Sequence, residues 1–140
     1  MSSFKWGKAH AVYLPAIDAE HRNLFRLAED LQKSIAAKDD ARVPLLLRGV
    51  LSTAEVHFTG EERLMRSMEY PLYSWHRQQH DTLRKRGAEF LKRIEAGETD
   101  AAPRLLDFLS VWFRDHMSLA DRMMGAFVRN YERLHSTLAS

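Results

Sequence analysis

Four stretches of this chain place apolar residues in alternating steps of three and four, a rhythm that suits helices and no other regular element. The first stretch gives an inward seam of Ile17, His21, Leu24, Ala28, Leu31 and Ile35. The second gives Val43, Leu47, Val50, Ala54, His57, Glu61, Leu64 and Met68. The third gives Tyr73, His76, His80, Leu83, Gly87, Phe90 and Ile94, and the fourth Leu105, Leu109, Trp112, His116, Leu119 and Met123. Pro15, Pro71 and Pro103 open or precede periodic segments, Pro44 fits the first turn of the second, and Gly97 and Gly125 read as helix ends. No β-branched alternating run suggests a strand. Helices are therefore expected at about 18–38, 41–68, 72–95 and 102–124, after an irregular arm over 1–17 and before an amphipathic segment at about 126–138. The connections KDD, EYP and GETDA are short, which sets neighbouring helices antiparallel. The expected fold is all-α, an antiparallel up-down-up-down four-helix bundle forming a single domain over 1–140.

Each seam is apolar except where histidine, and once glutamate, takes a core position. A buried polar group without a partner costs roughly 1–3 kcal/mol, and an unpaired carboxylate more. One core histidine could be satisfied by a backbone carbonyl; five with a glutamate require a common partner. The start of the first and third helices and the end of the second and fourth lie at one end of an antiparallel bundle. His21, His57, Glu61, His76, His80 and His116 would therefore converge there.

Composition removes competing chemistries. The absence of cysteine excludes disulfides, thiolate metal sites and cysteine catalysis. The net charge of +2 is scattered, with no basic stripe interleaved with aromatics, which argues against nucleic acid. No apolar run approaches the length of a membrane span and the N-terminus lacks a leader pattern, so no membrane insertion and a cytoplasmic location are expected. Imidazole and carboxylate suit iron, manganese or zinc. With Asp121 added, the donors exceed what one tetrahedral ion needs. Two six-coordinate ions sharing both carboxylates and one solvent oxygen would use all seven side chains and leave a single position open. Asp121 follows His116 by five residues, about 140° round a regular helix. Its inclusion requires a π-type widening of the fourth helix.

The chain resembles the hemerythrins, in particular their single-domain bacterial members. The resemblance rests on Phe4-x-Trp6, Ile17-Asp18-x-x-His21 leading to Leu24-Phe25, HFxxEExLM at 57–65, Tyr70-Pro71, HxxxH at 76–80, and Trp112-x-x-x-His116-x-x-x-x-Asp121. It implies a pair of non-haem irons with an oxo or hydroxo bridge that binds dioxygen reversibly. His76, His80 and His116 would hold the filled iron and His21 and His57 the iron with the vacancy, with Glu61 and Asp121 bridging. By family position and helical adjacency, Leu24, Phe58, Trp112, Phe113 and Met117 would line the oxygen pocket. Phe113 and Met117 stand where many relatives carry leucine and isoleucine, and Glu20 where relatives often have glutamine, which sets an extra charge next to His21.

These features, with the resemblance, favour a monomeric oxygen carrier, store or delivery protein, with an oxygen-consuming enzyme as a candidate recipient, over an enzyme; the alternatives are an oxidase, peroxidase or nitric-oxide-handling activity, or an oxygen or redox sensor. His10 and His135 match no motif and are expected at the surface. Asp18 is expected to cap the first helix, Asp81 and Asp115 to face outwards, and Trp6, Tyr13 and Tyr70 to pack the arm.

Overall fold

A computed structural model of the chain describes residues 4–139. Helix α1 spans Pro15–Ala36, α2 Arg42–Ser67, α3 Tyr73–Glu95 and α4 Ala101–Asp115. A π-helical segment, His116–Ala120, then leads without a break into α5, Asp121–Ala139. Consecutive helices pack on one another and α4 packs back on α1, which closes the four-helix bundle. Among the described residues, no helix is long and apolar enough to cross a membrane.

Pro15 occupies the first turn of α1, where its missing N–H costs nothing, so the helix begins three residues before the expected start. Asp18 is therefore inside the first turn and is not the cap. Its buried carboxylate instead accepts hydrogen bonds from the backbone N–H groups of Val12 (2.9 Å) and Tyr13 (3.1 Å), tying the N-terminal arm to the helix. The first three helices end alike. Lys38, Glu69 and Gly97 take positive φ, and the next N–H reaches back to the carbonyl of Ser34, Met65 or Arg93.

The seams of α1, α2 and α3 are buried through their middles and half-buried at their ends, at Ile17, Ile35, Leu64, Met68, Tyr73 and Ile94, but the fourth shifts. Leu105, Leu109, Trp112 and His116 are buried, whereas Leu119 and Met123 are exposed and Ala120, Asp121, Met124 and Val128 take the inward places. The π segment is the cause: the N–H of Asp121 bonds the carbonyl of His116, five residues back, so one extra residue advances the buried face. Gly125 does not end a helix. It lies within α5 because the arm crosses there: a Cβ at this position would sit 2.9 Å from the carbonyl oxygen and 2.9 Å from the Cβ of Val12. Arg129 also hydrogen-bonds the Val12 carbonyl. Gly125→Ala is expected to push the arm off α5 and destabilise the fold by about 1–3 kcal/mol. A lowered denaturant midpoint at unchanged slope would register this; an unchanged midpoint would show the arm yielding freely.

Apolar residues pack on both sides of the polar layer. A large cluster including Leu24, Leu47, Phe58, Leu105 and Phe113 lies to one side, and Met65, Tyr70, Met124 and Val128 to the other.

Candidate metal centre

The six polar residues of the seams and Asp121 meet in one layer, each at 4 % exposure or less. Helical spacing delivers four of the side chains: His57 and Glu61 are one turn apart on α2, and His76 and His80 one turn apart on α3. His21 comes from α1, His116 from the start of the π segment and Asp121 from its end. The widening turns Asp121 inwards, to 0 % exposure.

The donor atoms divide into two sets. Glu61 Oε1 lies 3.2 Å from Nε2 of both His76 and His80, and Asp121 Oδ1 lies 3.0 Å from His76 Nε2 and 3.1 Å from His116 Nε2. Glu61 Oε2 lies 2.8 Å from His57 Nε2 and 3.6 Å from His21 Nε2, which is 3.1 Å from Asp121 Oδ2. Each carboxylate thus gives one oxygen to a three-histidine half and the other to a two-histidine half. Within each half the donors lie within 4.8 Å of one another.

The outer nitrogens establish which way the rings present their lone pairs. His80 Nδ1 pairs with Glu62 Oε2 at 2.7 Å, His116 Nδ1 with Gln79 Oε1 at 2.8 Å, and His57 Nδ1 with Glu20 Oε2. Carboxylate and amide oxygens only accept, so each Nδ1 carries the proton and each Nε2 turns a lone pair inwards. There it meets carboxylate oxygens and other imidazoles; the two Nε2 atoms of His21 and His57 are 2.9 Å apart. Glu61 Oε2, both oxygens of Asp121, and Nε2 of His80 and His116 are buried without hydrogen-bond partners. Lone pairs so crowded are stable only around cations. The donor set therefore fits a metal centre, and its two halves fit a pair of ions sharing two carboxylates.

Protons take the cationic role in the metal-free chain. Burial opposes charge on His21, but Asp121 and Glu61 outweigh it and raise the group from 6.5 to about 9. Burial likewise opposes charge on His57, which Glu61 and Glu20 raise to about 10, and on His76, which Asp121 and Glu61 raise to about 9. Burial pushes His116 down despite Asp121. Glu61, against its burial, is held well below the usual carboxylate range by His57, His21 and His76. Burial and Glu61 oppose ionisation of Asp121, yet His116 and His21 hold it well below that range as well. Of these two, His21 carries the charge at neutral pH.

The suggested pocket residues are all buried. Leu24, Phe58, Phe113 and Met117 are at 1–2 % exposure and Trp112 at 8 %, all in the large apolar cluster. Phe58 stacks on His80 with ring centroids 4.0 Å apart, and Trp112 stacks on His116 at 4.4 Å. Trp112 Nε1–H donates to the Gln79 carbonyl, which joins α4 to α3 beside the site. Asp81 and Asp115 face solvent, paired with Arg84 and Arg114. His135 is exposed. His10 departs from expectation: it is half-buried, its ring 4.8 Å from Phe25, and its Nδ1 accepts the Gly7 N–H.

Three residues around the site were missed as partners of the inner histidines: Glu20, Glu62 and Gln79. Each is the immediate neighbour of an inward residue, so it leaves its helix at the flank of the buried face. Such adjacency is the signal that could have found them. Glu20 reaches across to His57 on α2.

Fold and site together define a helical bundle with an internal layer of histidine and carboxylate donors that fits metal ions. Residues 13–128 match the family model described as "Hemerythrin HHE cation binding domain", so the chain belongs to the hemerythrin family. It is 27% identical over 141 residues to a bacteriohemerythrin of Stenotrophomonas maltophilia, covering 98% of this chain and 92% of that one. It is 31% identical over 107 residues to a bacteriohemerythrin of Aquifex aeolicus, covering 75% and 82%. A crystal structure of a hemerythrin point mutant superposes with a TM-score of 0.79 at 23% identity, covering 90% of this chain and 97% of that one, a likeness in fold.

Proposed function

We propose that the protein is a cytoplasmic, monomeric binder of dioxygen that carries, stores or delivers it, using a non-haem di-iron centre. In this reading His76, His80 and His116 hold one iron, His21 and His57 the other, and Glu61 and Asp121 are shared. The observation that carries it is the unequal division of imidazoles, three against two, around carboxylates that serve both halves equally. The half with fewer donors is the one able to accept an external ligand. Bacteriohemerythrin, the name of its similar relatives, supports the same reading.

When bound, a ferrous pair supplies two electrons that can be lent to dioxygen and recovered. The protein's part is to keep that exchange reversible. Five neutral imidazoles against two carboxylates give less anionic donation than the carboxylate-rich sites of other di-iron bundles, so high-valent iron is disfavoured. Leu24, Phe58, Trp112, Phe113 and Met117 would line the ligand pocket and exclude the water and protons that drive irreversible oxidation.

Cycling the reduced, iron-loaded protein between air and argon tests the proposal. The same oxygenated absorption spectrum is expected to appear and vanish over repeated cycles. One-way conversion to the ferric form with release of peroxide would instead establish an oxidase.

A further inference from the structure

Three of the five inner histidines rest their outer nitrogen on a side chain from another helix, and the three supports differ in charge. His116 is held by Gln79, a neutral amide. His80 is held by Glu62, whose same oxygen also lies 2.9 Å from Nη1 of Arg84, a guanidinium that it shares with Glu55 and Asp81. His57 is held by Glu20, and among the described residues no lysine or arginine forms a salt bridge with that carboxylate. The supports in the three-histidine half are thus a neutral amide and a carboxylate in direct contact with a guanidinium, while the two-histidine half leans on an anion with no such contact.

The two partners of this hydrogen bond differ in exposure. The His57 side chain is 3 % exposed, whereas that of Glu20 is 54 % exposed. Its carboxylate can be solvated on one side while it accepts the buried Nδ1–H on the other. An anionic acceptor polarises the N–H bond, raises electron density on the imidazole and strengthens Nε2 as a donor. It also fixes the ring: with Glu20 on Nδ1, only Nε2 can face Glu61 and His21. A glutamine would supply the acceptor without the charge, and an alanine neither.

We propose that Glu20 is a positioning residue of the two-histidine half, which acts through His57 to tighten metal binding in that half and to favour its ferric state. The inference rests on metal ligation by His57, part of the functional reading above. It gives the two halves an electronic asymmetry beyond their unequal number of imidazoles. The ion with fewer histidines receives the more strongly donating one.

Metal-free wild-type, Glu20→Gln and Glu20→Ala proteins titrated with Co(II) against a competing chelator provide the test, with midpoint potentials of the iron-loaded forms as a second readout. Wild type is expected to take two ions. In Glu20→Gln the ion that loads second should bind about tenfold more weakly while the first is unchanged, with a larger loss in Glu20→Ala. The ferric-to-ferrous affinity ratio of the affected ion should fall about tenfold in Glu20→Gln, a positive shift of about 59 mV per electron. Circular dichroism of the metal-free proteins should be alike for wild type and Glu20→Gln, with unfolding at a lower temperature in the variant because Glu20 helps to hold the proton on His57. Equal second-ion affinity and equal potential in those two proteins would overturn the proposal. So would equal weakening of both ions, which marks a general loosening of the bundle. A wild type that binds no stoichiometric metal would instead remove the functional reading beneath it.

Discussion

Asp121→Ala is expected to reduce the metal content from two ions to fewer than one per chain, an effect that only the loss of Glu61 should match. The aspartate faces both halves at once, with Oδ1 beside His76 and His116 and Oδ2 beside His21. Its loss removes a donor from each ion and one of the two anions that offset their charge. The metal-free protein should suffer too. His21 and His76 owe much of their raised proton affinity to this carboxylate, and removing one partner from a buried charge network costs about 3–5 kcal/mol.

Two comparison variants separate this effect from nonspecific damage. Asp121→Asn keeps the shape and loses the charge, so it should bind metal nearly as poorly as the alanine variant. Asp115→Ala removes a carboxylate adjacent to His116 that faces solvent, and should retain both ions. Metal analysis and circular dichroism of the three proteins are the measurements. Two ions retained by Asp121→Ala would show that Glu61 alone can bridge the halves.

The position of Asp121 also shows how far the chain could be read in advance. Repeating inward positions located the bundle and brought the histidines and Glu61 to one end, because a 3.6-residue period dictates which residues share a face. A five-residue gap is incompatible with that period, so including the aspartate demanded a widened turn, and the π segment supplies it. The same widening moves every later residue by one place. Leu119 and Met123, inward on an unbroken helix, therefore come out exposed, and Met124 and Val128 go in. Carrying the distortion through to residues beyond Asp121 would have predicted that face. Glu20, Glu62 and Gln79 were hidden for another reason. They sit at the flank of a buried face, where a side chain can turn to solvent or across to the next helix, and spacing does not choose between these. Gly125 looked like a terminator because the crossing arm, which makes its small size necessary, is distant in sequence.

Stability of the metal-free protein and affinity for metal are expected to move in opposite directions between pH 6.5 and 10. His21, His57 and His76 bind protons in the folded metal-free chain up to about pH 9, 10 and 9, against 6.5 for an unperturbed histidine. Over that interval the folded state holds protons that the unfolded chain has released. Their contribution to stability is therefore complete below 6.5 and disappears as the pH climbs through 9–10. On the acid side, Glu61 and Asp121 have depressed folded values, so their stabilisation is present above the ordinary carboxylate range and is lost only as pH falls through those lower values. A metal ion must displace the histidine protons, so its apparent affinity rises where the proton-dependent stability fades. Denaturant midpoints of the metal-free protein should fall from pH 6.5 to 10. Over the same range the metal-loaded protein should gain an increasing advantage, and loading in a weakly buffered solution at pH 7 should release protons. A metal-free midpoint that rises with pH, or loading without proton release, would mean that the imidazoles enter the folded core neutral. The two carboxylates would then be without the cations that their burial requires.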